Sequence, residues 1–454
     1  MAVTTSNAEL TGPLCWEDNG SANHECPETM TSAVTRRTIE GMAENTSTPK
    51  HVAVVGAGMV GLSTAWFLQE HGVSVTVLDR EGVAAGSSWG NAGWLTPGIT
   101  TPLPEPAVLK YGVRAVLSPS SPVYVPPTAS PRLVSFLTRF ARNSTARRWE
   151  RAMQALVPIN RRSLAAFDVL GENGVAAPTH EAKSFLAAYR TAEERTTLLE
   201  EIEQIHRAGQ GIEFDVLDGD EARGVEPSLS DEVGAAIRLH DQRFINPGEY
   251  VHALADSVSA RGGVIRSGVT VGDIVDRGSK VEVDGASYDA VVLATGAWLG
   301  NLARRFGVRT LVQAGRGYSF SIPIEHVPSG PVYFPAQRVA CTPLGDRLRV
   351  AGMMEFRAPD APLDARRIGA ITEAAKPLLR GADLDARQDE WVGARPCTPD
   401  GLPLVGATRS QRVYAAGGHG MWGITLGPAT GQLLAEQMVT GRVPAELTAF
   451  NPLR

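Results

Sequence analysis

Two groups of residues in this chain have types and spacing suited to chemistry. Near the front, His51-Val-Ala-Val-Val55 runs directly into Gly56-Ala-Gly58-Met-Val-Gly61. Near the end, Val413-Tyr-Ala-Ala416 runs into Gly417-Gly418-His419-Gly420-Met-Trp-Gly423. The first group has the spacing that holds a pyrophosphate. Gly56 permits a tight turn, Gly58 lets the backbone approach the phosphates, and Gly61 lets the next helix pack against its strand. Asp79, at the end of Val73–Leu78, can accept ribose hydroxyls, and Arg80 follows it. The second group is a glycine loop feeding a helix N-terminus, a place that stabilises negative charge.

These residues need particular elements to position them. The front group reads as strand, glycine turn, helix through Leu62, Ala65 and Leu68, then a second strand ending at Asp79. That order is a Rossmann unit binding a dinucleotide. Ser87, Ser88, Asn91, Ala92 and Gly93 form a small polar loop suited to lie along a cofactor. Asp289–Leu293 reads as a buried strand ending in Ala294-Thr295-Gly296, which would return to the same sheet. The late glycine loop has its own strand before it and a helix through Leu433, Leu434 and Met438 after it. A helix N-terminus there would meet the negative charge that a reduced flavin develops at its N1–C2=O edge. Together these segments select FAD over a nicotinamide.

The whole chain agrees with an enzyme of this kind. Its 454 residues can bury a large core, and a net charge of −6 gives no electrostatic reason to expect nucleic acid. No run has the roughly 20 apolar residues that span a bilayer. Cys15, Cys26, Cys341 and Cys397 make no C-x-x-C pair, so neither a disulfide framework nor a metal site is expected and a cytoplasmic setting fits. Residues 1–49 are polar and lack an apolar period, which reads as a disordered tail. Arg36-Arg37 lacks the apolar run of an export signal.

Beyond these motifs the chain resembles the D-amino-acid oxidase superfamily, and within it the bacterial D-amino-acid dehydrogenase branch. Glycine oxidase and glyphosate oxidoreductase are relatives. The resemblance rests on Val54–Gly61, Gly90-Asn-Ala-Gly93, Gly317-Tyr-Ser319, Arg349–Met353, Gly393–Gly406, Gly418-His-Gly420 and Gly427–Gly431. It implies an α/β composite: a Rossmann-type FAD-binding domain and a substrate domain with a mixed or antiparallel sheet. The FAD domain would take residues 50–105, 215–305 and 390–454, and the substrate domain 106–214 and 306–389. Pro247–Arg261 and Ala192–Ala208 read as helices, and the Pro-rich stretch from Thr96 to Pro131 as an irregular crossing.

The resemblance also implies a reaction: transfer of hydride from Cα of a small amino acid to flavin N5, then hydrolysis to a 2-oxo acid. Arg395 matches the arginine that binds substrate carboxylate, and a guanidinium suits a carboxylate because it donates two parallel hydrogen bonds. Arg243, Tyr318 and Tyr333 are further substrate-binding candidates, and His419 is a base or, more simply, a positioning residue. Trp89, Trp94 and Trp422 could wall the site. Gly90 and Gly393 stand where some relatives carry the residue that attaches flavin, so FAD is expected to be non-covalent. The electron acceptor would be a quinone or another carrier, with oxygen an alternative, and any membrane contact peripheral. Oxidation of a secondary amine or imino acid is the runner-up. A non-catalytic dinucleotide-binding protein is the reading from another class.

Overall fold

The structure, a computed structural model, describes residues 48–106, 121–126 and 130–454. The expected tail therefore lies outside the described residues, save Thr48 and Pro49, as does most of the middle of the Thr96–Pro131 crossing.

Five parallel strands and one antiparallel strand form the first sheet. Their order is Val264–Arg266, Ser74–Leu78, His51–Val55, Ala290–Leu293, Val413–Gly417 and Leu404–Ala407. The central strands are apolar throughout, as strands covered on both faces must be. The helix Met59–Glu70 follows the first strand and is buried from Met59 to Leu68, save half-buried Val60. It packs between the sheet and the helices Pro247–Ala260, Gly423–Thr440 and Ala146–Glu172, which share one core. Each fully buried Leu or Phe there contributes about 2 kcal/mol. Gly56 holds the turn at φ +117°, and a Cβ on it would lie 2.4 Å from the Ala294 carbonyl oxygen.

The second sheet has nine strands. Along its main path the order is Gln388–Cys397, Gln313–Pro323, Arg347–Phe356, Val339–Leu344, Val332–Phe334, Phe185–Tyr189, Ala235–Leu239 and Phe214–Asp218, with Val123–Tyr124 added beside Arg347–Phe356. It is mixed: Val332–Phe334 runs parallel to Phe185–Tyr189, and most other pairs are antiparallel. The mixed sheet expected for the substrate domain is therefore present.

The segment boundaries differ from those expected. Phe214–Asp218 and Ala235–Leu239, placed in the FAD domain by the 215–305 boundary, belong to the nine-stranded sheet. The strand carrying Arg395, placed in the 390–454 portion, also lies in that sheet. Conversely, the helix Ala146–Glu172, expected in the substrate domain, buries Leu156, Ile159 and Phe167 in the core of the six-stranded sheet. An apolar helix face does not announce which sheet it covers. Among the described residues, no helix is long and apolar enough to cross a membrane.

Candidate active site

A cavity of about 270 Å³ opens at the carboxyl ends of the parallel strands. Ligands in open α/β sheets bind at that edge. Gly56, Gly58, Asp79, Arg80, Thr295 and Gly296 line it, together with Ser87, Ser88 and Asn91. His419, Gly420 and Gly423 close another side. Two helix N-termini, at Met59 and at Gly423, meet it. Four expected cofactor residues stand outside its wall. A Cβ on Gly61 would lie 2.0 Å from the Gly56 carbonyl oxygen, so Gly61 serves helix packing. Gly93 (φ +79°) and Gly418 (φ +76°) shape turns, and Ala92 lines a second cavity instead.

The residues fit a flavin dinucleotide. The Thr295 hydroxyl oxygen is buried without a hydrogen-bond partner beside the cavity. Asp79 is held by the backbone: one carboxylate oxygen accepts the Ala57 N–H at 2.8 Å, and the other accepts those of Glu81 and Gly82 at 2.9 Å. It therefore ties the glycine turn to the end of the second strand. Arg80 stacks 4.0 Å from the Trp298 ring centroid and pairs with Glu81 and Asp360.

The Ser87–Trp94 loop is held by hydroxyl groups that join it to the nine-stranded sheet. Ser87 donates to the Ala394 carbonyl. Ser319 donates to the Gly90 carbonyl at 2.8 Å, and Thr342 to the Ala92 carbonyl at 2.7 Å. Trp391 covers the loop, and a Cβ on Gly90 would lie 2.1 Å from its ring. A Cβ on Gly393 would lie 1.9 Å from the same ring. One tryptophan thus fills the space at both positions where an attachment residue was looked for.

Arg395 stands where this cavity meets a second one of about 220 Å³, and it lines both with Asn91 and Met421. Its guanidinium lies over Gly317, where a Cβ would sit 2.2 Å from Cζ. Its Nη1 donates to the Met353 carbonyl at 2.8 Å. The sheet register shifts between Arg316 and Tyr318, opposite Met353, whose φ is +65°. That β-bulge turns the carbonyl toward Arg395, as bulges next to active sites do. Among the described residues no carboxylate pairs with Arg395. Burial holds its pKa below the ordinary arginine range, with Cys397 acting weakly the other way. A positive charge without a counter-ion at the junction of two cavities is a site for an anion.

His419 is 3% exposed, and its Nε2 lies 3.0 Å from the Thr430 hydroxyl. Desolvation pushes its pKa down to about 4, so it is neutral at pH 7. Its contact with Thr430 ties the glycine loop to the helix that follows, which is the positioning role.

The other candidates separate. Tyr333, Trp94 and Trp422 line the second cavity. Tyr318 does not: its hydroxyl donates to Glu355 at 2.5 Å within a buried cluster that includes Arg316. It faces the opposite side of its strand from the cavity, in the core beneath the sheet. Arg243 is paired with Asp168 on the short strand Arg243–Phe244 and lines neither cavity. Both are corrections to the expected substrate site. Trp89 packs under Arg349 at 5.1 Å.

The sequence reading missed Glu105, Glu201 and Arg338, which line the second cavity. Glu201 had left a signal. In the helix Ala192–Arg207 it shares a face with the buried Leu198, Ile202 and Ile205, where an acid is out of place.

Comparison with known proteins agrees with this geometry. Residues 51–437 match the family model described as FAD dependent oxidoreductase (DAO). The chain is 31% identical over 409 residues to a protein named D-amino acid dehydrogenase from Methylobacterium radiotolerans, covering 87% of this chain and 96% of that one. Among solved structures, glycine oxidase from Geobacillus kaustophilus superposes with a TM-score of 0.67 at 22% identity, covering 89% and 98% of the two chains. L-proline dehydrogenase from P. horikoshii gives 0.65 at 19% identity, covering 90% and 98%. The chain belongs to the DAO family of FAD-dependent oxidoreductases.

Proposed function

We propose that this protein oxidises the Cα–N bond of a small amino acid of D configuration, yielding the 2-oxo acid and ammonia. The observation that carries this reading is Arg395, which has no acidic partner among the described residues and lines both cavities. It would take the substrate carboxylate through two parallel hydrogen bonds. The name of the Methylobacterium relative supports the D configuration.

The residues of the first cavity would hold FAD: the glycine turn at the pyrophosphate, Asp79 and Arg80 at the adenosine end, and the His419 loop at the isoalloxazine end. Bound FAD supplies the two-electron acceptor for the hydride leaving Cα. Arg395 fixes the carboxylate and so orients Cα, which is the main service a protein gives such a reaction. The substrate ammonium loses its proton to water before reaction, so no side-chain base is needed. Met353, Met354 and Phe356 keep the second cavity largely apolar around the reacting carbon. The imine product hydrolyses in solvent.

FAD is held without a covalent bond, because Trp391 fills the space beside Gly90 and Gly393. Acid precipitation of the purified protein should release yellow flavin into the supernatant. Electrons would pass on to a quinone or another carrier in preference to oxygen, with no more than peripheral membrane contact. An anaerobic panel of D- and L-amino acids, sarcosine and proline, followed by bleaching of the flavin absorbance, tests the reaction. Bleaching by D-amino acids is the expected result, and bleaching confined to sarcosine or proline would overturn the reading. Reduced enzyme mixed with air-saturated buffer should then reoxidise slowly, and rapid formation of hydrogen peroxide would reassign it as an oxidase.

A further inference from the structure

The second cavity is lined by apolar side chains and by a charged cluster that leaves the electrostatics of Arg395 untouched. Arg395 and Asn91 stand at its junction with the first cavity, and Met353, Met354 and Phe356 line it. The charged wall carries Glu105, Glu201, Arg338 and Tyr333. The four side chains come from four separate segments: the stretch after Leu103, the helix Ala192–Arg207, the turn before Val339–Leu344, and the strand Val332–Phe334. Arg338 is held at φ +55°, a conformation uncommon for arginine.

The charges on that wall do not balance. Arg338 faces the Tyr333 hydroxyl and both carboxyl groups, so it can answer the charge of only one of the two acids. Glu201 accepts a 3.4 Å hydrogen bond from the Thr101 hydroxyl. The Glu105 carboxylate has neither a hydrogen bond nor an ion pair among the described residues, although the group is enclosed. Burial, and then the neighbouring Glu201, push its pKa up to about 8. Without a ligand Glu105 therefore keeps its proton at neutral pH, and a cation bound beside it would favour release of that proton and take up the charge.

We propose that the acidic wall of the second cavity, Glu105 with Glu201, selects amino acid substrates that carry a cationic side chain, an ammonium or a guanidinium at the end of an aliphatic stem. This rests on the amino acid oxidation proposed above. Arg395 takes the carboxylate at one end of the cavity, the methionines and Phe356 receive the methylenes, and the acidic wall receives the distal cation. Arg338 stays beside the Tyr333 hydroxyl within the wall and eases repulsion between the two acids. A substrate with an acidic side chain would meet two carboxylates there, and specificity of this kind comes as much from repulsion as from attraction.

The test compares pairs of nearly equal size that differ in the distal charge: D-lysine with D-norleucine, and D-arginine with D-citrulline. The holoenzyme should use the cationic member with kcat/KM about tenfold higher or more. Glu105→Gln and Glu201→Gln should collapse that ratio toward one, with FAD content as the check on folding. A second measurement needs no turnover. 6-Aminohexanoate carries the carboxylate and terminal ammonium of lysine but has no Cα amine to oxidise. It should perturb the bound flavin spectrum at a concentration about tenfold below that needed for hexanoate.

Norleucine equal to lysine, or D-glutamate preferred over both, would overturn the cationic pocket and leave amino acid oxidation standing. Discrimination between the two hexanoates without reduction by any amino acid would support the pocket and overturn the proposed reaction. Neither discrimination nor reduction would overturn both.

Discussion

Replacing Gly317 by alanine tests whether the position of one guanidinium decides the rate. The alanine Cβ would lie 2.2 Å from Arg395 Cζ and Nη2 and 2.6 Å from Nη1. Carbon atoms in contact need about 3.5 Å or more, so the guanidinium must move by roughly 1–1.5 Å. Gly317 lies mid-strand and is not among the positive-φ glycines, so alanine adds no backbone strain of its own. The displaced arginine would lose its 2.8 Å bond to the Met353 carbonyl and misplace the substrate carboxylate. A misplacement near 1 Å costs about 100-fold in a positioned reaction, so kcat/KM should fall by roughly 30- to 100-fold, about 2–3 kcal/mol. Overpacking should also lower stability by about 1–3 kcal/mol. Gly315→Ala separates the two effects. Its Cβ would meet Met354 Sδ at 2.4 Å and Cys397 Sγ at 2.8 Å, and no Arg395 atom is among its nearest neighbours. It should lose stability to a similar degree while kcat/KM changes by only a few-fold. Steady-state kinetics with a dye acceptor, alongside thermal melts and FAD content, provide the comparison. A Gly317→Ala enzyme within about twofold of wild type would refute the reasoning, because the transition-state loss would then be negligible.

Three further outcomes follow from the same geometry. Arg395→Ala should lower kcat/KM by about 30-fold or more with FAD retained, and Arg395→Lys should recover little, since an ammonium cannot form the paired bonds; near-wild-type kinetics for Arg395→Ala would move the carboxylate site. His419 is buried neutral with a pKa of about 4, below the ordinary 6.5, so its contribution is intact above pH 6.5 and is lost as pH falls toward 4, by roughly 3 kcal/mol. Melts across that window should show a shallower decline in His419→Asn than in wild type, and parallel curves would contradict the assignment. Tyr318→Phe leaves the buried Glu355 without one donor and should cost about 1–3 kcal/mol of stability with kcat/KM preserved. Tyr333→Phe should instead alter KM, and a reversal of that pattern would return Tyr318 to the site.

The Rossmann unit was legible because each of its parts carries a local signature. Gly56, Gly58 and Gly61 are dictated by close backbone approach, and Asp79 by its place at a strand end. The His419 loop was legible for the same reason. Arg395 was found through resemblance to a family, but its surroundings were not. The Met353 bulge depends on the pairing of Arg316 with Glu355 and of Tyr318 with Gly352, which are far apart in the chain. Such register is set by tertiary packing, which local pattern does not encode. Tyr318 and Tyr333 are both strand tyrosines, and only the sheet face that each presents separates them. Arg243 was a plausible carboxylate partner until its salt bridge to Asp168 appeared across a loop closure that no spacing predicts. The acidic wall of the second cavity is assembled from four distant segments, and of these only Glu201 broke its local pattern.

The hydroxyl bonds that fasten the Ser87–Trp94 loop to the nine-stranded sheet make two equilibria one. Ser88 and Asn91 face the cofactor cavity, while Ser319 and Thr342 belong to strands of the other sheet. A ligand bound against this loop also favours the arrangement of those strands that keeps these bonds, and by linkage anything that loosens the strands weakens the ligand. Flavin occupancy should therefore be readable at a distance. Amide exchange in Gln313–Pro323 and Val339–Leu344 should slow as FAD is titrated in, although neither strand belongs to the Rossmann sheet. Ala340 of Val339–Leu344 lines the second cavity, so substrate there would act on one of the same strands, and cofactor and substrate would each raise the affinity of the protein for the other.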